Sequence, residues 1–265
     1  MAAVIYRGQL TLITGASSGL GSEFARQLAR RGSDLVLVAR RKDRLEALAA
    51  ELSRVHHVAV HTVPQDLGEA GAGERLADDL ERRGLIVTSL VNNAGFGTFG
   101  PFHEEDPQRL RQEIGLDVSA VVDISRAFIN QLRAHGRGVL INVASMAAYQ
   151  GNPNMAVYGA TKAFVLNLTE ALWVESRGSG LKVIALSPGA TRTEFFDVVG
   201  TDDAAGGQRL QEPDEVVATV LKALDRSNPP PSVIAGRANR VMAGASRRLL
   251  TRAQVARAVG RMTDR

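Results

Sequence analysis

Tyr158 and Lys162 stand four positions apart in the segment NMAVYGATKAF, residues 154–164. In a helix, positions i and i+4 share one face, so the phenol and the ammonium can meet in one small volume. A cation beside a phenol favours phenolate. It moves the tyrosine pKa down from about 10, toward a range in which the hydroxyl exchanges protons during catalysis. The same spacing also suits an exposed surface pair, so its meaning depends on the rest of the chain.

A second chemical signal follows the apolar run LTLIT (10–14), which leads straight into TGASSGLG with Gly15, Ser17, Ser18, Gly19, Leu20 and Gly21. Glycines here let the backbone turn tightly and approach a pyrophosphate, and the N-terminus of the following helix offers free N–H groups and a favourable dipole. This pattern predicts a dinucleotide site. The next apolar run, DLVLVA (34–39), ends in ARRKDRL. A free ribose 2′-hydroxyl calls for an acidic residue near position 39. Ala39 stands there instead, followed by Arg40 and Arg41, and guanidinium groups suit a 2′-phosphate, which points to NADP(H) rather than NAD(H).

The elements that must hold these residues are legible as alternating patterns. Runs rich in Val, Ile and Leu recur at 10–14, 34–39, 58–63, 89–92, 138–144, 181–187 and 232–235. Helix-like stretches lie between them at 19–31, 42–53, 73–83, 106–134, 156–178 and 213–226. Strands apolar on both faces and separated by helices describe a parallel sheet covered on both sides. The expected fold is therefore α/β: a single-domain, Rossmann-type, doubly wound parallel sheet of about seven strands.

Composition agrees with this and removes some chemistries. The chain has 265 residues, 45 % of them apolar, enough for a sizeable core. It has no cysteine, which excludes disulfides, thiolate metal sites and thiol nucleophiles. No apolar segment approaches the length of a membrane span. No metal site is expected, and the expected location is cytoplasmic. The net charge of +4 is uneven: residues 237–265 hold eight arginines and one aspartate, so the remainder of the chain is slightly acidic.

Five motifs occur together in one order: TGASSGLG, NNAG (92–95), VAS ending at Ser145, YGATK (158–162) and SPGATRT (187–193). On these the sequence resembles the short-chain dehydrogenase/reductase family over roughly residues 8–236. The resemblance implies that Ser145 binds the substrate oxygen and Tyr158 exchanges the proton. It implies that Lys162 lowers the Tyr158 pKa and bonds the nicotinamide ribose. It also implies that Asp66 and Leu67 flank the adenine, that Asn93, Ala94 and Gly95 contact the ribose side, and that Pro188, Gly189 and Thr191 hold the nicotinamide end. Many members carry an asparagine that holds a relay water; here Asp117 takes that place, where a carboxylate can hold the water and partly offset the charge of Lys162.

Phe96, Phe99, Tyr149, Met155, Phe195 and Phe196 are expected to make a largely apolar substrate pocket, with the segment after Thr193 as a mobile lid. Residues 1–236 are read as the dinucleotide-binding and catalytic domain. Residues 237–265 are read as a basic amphipathic helical extension, packed on the protein or touching an anionic membrane surface; nucleic-acid binding is not expected. The resulting expectation is an NADP(H)-dependent oxidoreductase acting on a carbonyl or secondary alcohol, assembled as a homodimer or homotetramer. The alternative is a dinucleotide-binding sensor or scaffold with little turnover.

Overall fold

The computed structural model describes residues 4–205, 207–249 and 251–263. The apolar runs form β1 (Leu10–Thr14), β2 (Asp34–Ala39), β3 (Val60–Pro64), β4 (Ser89–Asn92), β5 (Val139–Val143), β6 (Lys182–Ser187) and β7 (Ser232–Ile234). They join in one sheet of order β3-β2-β1-β4-β5-β6-β7, and every neighbouring pair is parallel. This is the doubly wound architecture that the alternation predicts. Along β1, Leu12 faces one layer with Val36, Leu90 and Leu140. Ile13 faces the other with Leu35, Leu37, Val91 and Ile141. Both sets are fully buried, each such side chain contributing about 1.5–3 kcal/mol, which is why these strands show apolar runs and not alternation.

On one face lie α1 (Gly19–Arg30), α2 (Lys42–His56) and α8 (Pro213–Leu224); on the other lie α3 (Ala72–Arg82) and α5 (Ala120–His135). Strand order reverses between β1 and β4, so the crevice beyond their carboxyl ends is the place for a ligand. A buried polar chain fixes that end of the sheet. Asn92 Nδ2 donates to Ser125 Oγ and to Asn142 Oδ1, each at 2.9 Å, and Asn142 Nδ2 donates to Thr169 Oγ1 at 2.9 Å. It pins α5 and α6 (Ala156–Glu175) to the strands that carry the site.

Two elements differ from the sequence reading. The stretch 106–134 is not one helix: α4 (Pro107–Ile114) runs into a π-helical turn, Gly115–Ser119, and then into α5. Asp106 caps α4, its carboxylate accepting from Gln108 N at 2.9 Å. A π turn carries an extra residue in the coil, and Asp117 sits within it. The tail, read as a single helix, forms α9 (Arg237–Leu249) and α10 (Arg252–Thr263). A reciprocal cap starts the second: Thr251 Oγ1 accepts from Gln254 N at 3.3 Å, and Gln254 Oε1 accepts from Thr251 N at 2.8 Å. Leu250 lies outside the described residues. No helix among the described residues is long and apolar enough to cross a membrane.

Candidate active site

Tyr158 and Lys162 lie one turn apart on α6, with Lys162 Nζ 5.7 Å from the centre of the phenol ring. Ser145 stands two residues past β5. Its hydroxyl accepts from Ala147 N at 3.1 Å, capping the 3₁₀ turn Met146–Tyr149, and hydrogen-bonds the Tyr158 phenol. Lys162 Nζ donates to Val143 O at 3.4 Å and lies 2.9 Å from Asp117 Oδ2. The other Asp117 oxygen accepts from Phe96 N at 3.0 Å. Asp117, from a distant stretch of the chain, thus meets Ser145, Tyr158 and Lys162; Asp117 and Lys162 are buried, Ser145 and Tyr158 half-buried. Gly95 is held to glycine by this closeness: a Cβ there would lie 2.8 Å from Asp117 Oδ1 and 2.9 Å from Lys162 Nζ.

The electrostatics bear on two expectations. Burial pushes the Tyr158 phenol above its ordinary range; the Lys162 charge and the Ser145 hydrogen bond pull it back, but do not win in the protein alone. The expectation that Lys162 sets the phenol low holds for the sign of its own effect only. Asp117 is the second. Its carboxylate pairs directly with the ammonium, in the position to offset the Lys162 charge. Burial raises the Asp117 pKa, countered by Lys162. For Lys162, burial works against the ammonium, but Asp117 outweighs it and holds the group above its usual value.

The glycine loop forms a cradle. Gly15 adopts φ +66°, and a Cβ there would lie 2.9 Å from Ala94 Cα and from Asn93 Nδ2. Asn93 Nδ2 donates to Thr14 O at 2.9 Å, while Asn93 N and Ala94 N both donate to Thr14 Oγ1, at 2.9 and 3.0 Å. Thr14, which the sequence pattern does not single out, therefore ties β1 to the loop after β4. Ser18 precedes α1 without capping it, which leaves the first N–H groups of the helix to a ligand. A dinucleotide pyrophosphate fits this set of donors.

At the end of β2, Arg40 and Arg41 differ. Arg41 donates to Ser17 Oγ (3.1 and 3.0 Å), to Ser18 Oγ (2.7 Å) and to Glu194 Oε2 (2.7 Å), and Arg44 holds the other Glu194 oxygen. These bonds keep Glu194 below the usual carboxylate range. Arg40 is 77 % exposed, with Asp66 no nearer than 4.0 Å.

One cavity of about 760 Å³ joins these parts. Gly15, Ser17–Leu20, Ala39–Arg41, Asp66 and Leu67 line it at one end; Asn93–Gly95, Ser145, Tyr158, Lys162, Pro188, Gly189 and Thr191 lie along its length. Gly21 lies beneath the loop, buried. At the far end, Phe96, Met155, Phe195 and Phe196 are walls as expected, with Phe195 5.3 Å from the Tyr158 ring. Phe99 and Tyr149 do not line it; the Tyr149 hydroxyl lies 3.2 Å from Ser187 Oγ, in hydrogen-bond contact, which draws it off the cavity. The missing wall comes from the tail: Met242 on α9, and Val255, Ala258 and Val259 on α10. The apolar spacing within the arginines was the only sequence signal for it.

A family model described as short chain dehydrogenase matches residues 9–204. The chain belongs to the short-chain dehydrogenase family. It is 37 % identical over 199 residues to sulfoacetaldehyde reductase 2 of Chromohalobacter salexigens, a match covering 74 % of this chain and 78 % of the relative. With 7beta-hydroxysteroid dehydrogenase of Clostridium sardiniense it shares 28 % identity over 88 % of this chain and 87 % of the relative. Among solved structures, a short-chain dehydrogenase from Sphingobium yanoikuyae in complex with NADPH superposes with a TM-score of 0.79 at 34 % identity, covering 97 % and 96 % of the two chains. This short-chain dehydrogenase is an oxidoreductase that transfers a hydride between a nicotinamide dinucleotide and a carbonyl or alcohol substrate. No comparison favours a sensor or scaffold without turnover.

Proposed function

We propose that the protein is an NADP(H)-dependent reductase of bulky, largely apolar ketones or aldehydes, equally able to oxidise the corresponding secondary alcohols. The observation that carries this is the meeting of Ser145, Tyr158 and the Lys162–Asp117 pair midway along a cavity with a dinucleotide cradle at one end and apolar walls at the other. When bound, the nicotinamide supplies or accepts the hydride. The rest falls to this chain's own residues. Ser145 holds the substrate oxygen by a hydrogen bond. Tyr158 gives its proton to that oxygen in reduction and removes it in oxidation. Lys162 stabilises the phenolate that remains and bonds the nicotinamide ribose, and Asp117 fixes the ammonium in place.

The NADP(H) preference rests on Ala39, which offers no carboxylate to a 2′-hydroxyl, and on Arg40, whose guanidinium is exposed and loosely partnered beside it. Asp66 and Leu67 flank the adenine, and Pro188, Gly189 and Thr191 hold the nicotinamide end. Residues 1–236 form the catalytic unit, and 237–265 extend it over the substrate end. A homo-oligomer in the cytoplasm completes the reading, with Phe102, Ile114 and Phe164, all exposed and apolar, as the face for a second subunit.

The test is a panel of carbonyl compounds graded in bulk and charge, run with NADPH and with NADH and followed at about 340 nm, where reduced nicotinamide absorbs. Preferred turnover of bulky apolar ketones with NADPH supports the reading. Preference for small anionic aldehydes, or for NADH, refutes the corresponding half.

A further inference from the structure

Glu113, on the last turn of α4, is fully buried, yet the mechanism above does not use it. A glutamate on a polar helix normally faces water, and a charged carboxylate is buried only with a partner. Here one oxygen accepts from Thr98 Oγ1 at 2.9 Å, and the other has no hydrogen-bond partner among the described residues. The charged and titratable groups around it are Asp117, one turn along the same helix; Glu105, from the loop before α4; and Lys162 and Tyr158 from α6. Arg109, one turn earlier, lies over the Phe96 ring at 4.0 Å. The ammonium that acts on it, Lys162, is already paired with Asp117.

We propose that Glu113 is a buried proton-holding group that sets the charge of the Tyr158–Lys162–Asp117 cluster, and through it the pH dependence of turnover. Protonated, Glu113 leaves the cluster neutral overall, with one ammonium, one carboxylate and one phenol. Ionised, it loses its proton to solvent and adds one negative charge, which holds the protons more firmly on Tyr158 and Lys162. Phenolate formation, which both directions of the reaction require, then becomes harder. Burial, helped by Asp117 and Glu105, pushes the Glu113 carboxyl up to about 7, so the change falls within the working range of pH. Glu113 touches neither cofactor nor substrate in this scheme. It is a positioning residue for charge. The proposal rests on the assignment of Tyr158 as the proton-exchanging group.

Two measurements test it. In wild-type protein labelled with ¹³C at glutamate carboxyls, one resonance should inflect near pH 7, and Thr98→Val should move it upward, because the Thr98 hydrogen bond favours the ionised form. If every glutamate titrates in the ordinary range, the proposal is overturned without any need for a variant. The second measurement is the pH profile of alcohol oxidation and carbonyl reduction for wild type, Glu113→Gln, Glu113→Asp and Tyr158→Phe. Glu113→Gln keeps the shape but cannot ionise. It should lose the inflection near 7 and shift the oxidation profile to lower pH, while Glu113→Asp keeps an inflection. Profiles of wild type and Glu113→Gln that superimpose, with Tyr158→Phe inactive, overturn this inference alone. Full activity in Tyr158→Phe overturns the site assignment instead.

Discussion

Replacing Lys162 by methionine keeps most of the side-chain length but removes the ammonium 2.9 Å from Asp117 Oδ2. Asp117 is fully buried, and its remaining partners, Phe96 N and the Thr161 hydroxyl, are neutral. Removing one partner of a buried pair costs about 3–5 kcal/mol, because the other charge stays desolvated without compensation. Asp117→Asn should cost a similar amount, since it leaves the buried ammonium without its counter-charge, with Val143 O at 3.4 Å and at most a neutral amide oxygen as acceptors. The double variant Asp117→Asn/Lys162→Met strands no charge. It should be more stable than the two single losses added together, by a coupling of about 2–3 kcal/mol. The assay is urea unfolding of all four proteins without cofactor at pH 7.5. The sign with pH is fixed as well. Without Lys162, the folded-state pKa of Asp117 rises further above its unfolded value, and the stability linked to such a group is lost as pH rises. The Lys162→Met deficit should therefore shrink as pH is lowered toward about 4. A single-variant cost below about 1 kcal/mol, or strictly additive losses, refutes the buried-pair reasoning.

Three further outcomes are expected. Tyr158→Phe should lower turnover by about 10²–10⁴ with NADPH affinity near wild type, since the ring and cradle remain; stopped-flow and cofactor titration check this. Arg40→Ala should weaken NADPH binding by about 1.5–3 kcal/mol and leave NADH nearly unchanged, because the lost group bonds the 2′-phosphate alone; equal losses for both cofactors, read by calorimetry, count against the assignment. A chain ending at Thr251 lacks Val255, Ala258 and Val259 from the cavity wall, so KM for bulky carbonyls should rise about tenfold or more, with NADPH affinity retained.

Local signals are what made the sheet and the centre of the site legible. The spacing of Tyr158 and Lys162 becomes one helical face, and the glycines after β1 become a turn that only glycine fits. Tertiary placement governs what the sequence concealed. Glu113 reads as one more polar residue on a polar helix; nothing local shows that the loop through Thr98 covers it. The π turn at 115–119 begins at Gly115, a weak helix former that by itself does not announce a π turn, and Asp117 finds its partners in the turn after NNAG and on α6. Arg41 is similar: the carboxylate that holds it, Glu194, lies 153 positions away. The break in the tail was readable in principle, since Thr251 and Gln254 have the spacing of a reciprocal helix cap.

The participation of α10 in the cavity wall also divides the site between two parts of the chain. The last strand, β7, ends at Ile234, and the cradle, Ser145, Tyr158 and Lys162 all precede it. The cavity receives Val255, Ala258 and Val259 only from the final helix. The cradle and the proton-exchanging cluster thus stand on the sheet and the helices threaded through it, whereas this part of the wall comes from a helix that follows the last strand. Changes in α10 can therefore reshape the substrate end while the residues that hold the dinucleotide and exchange the proton stay as they are.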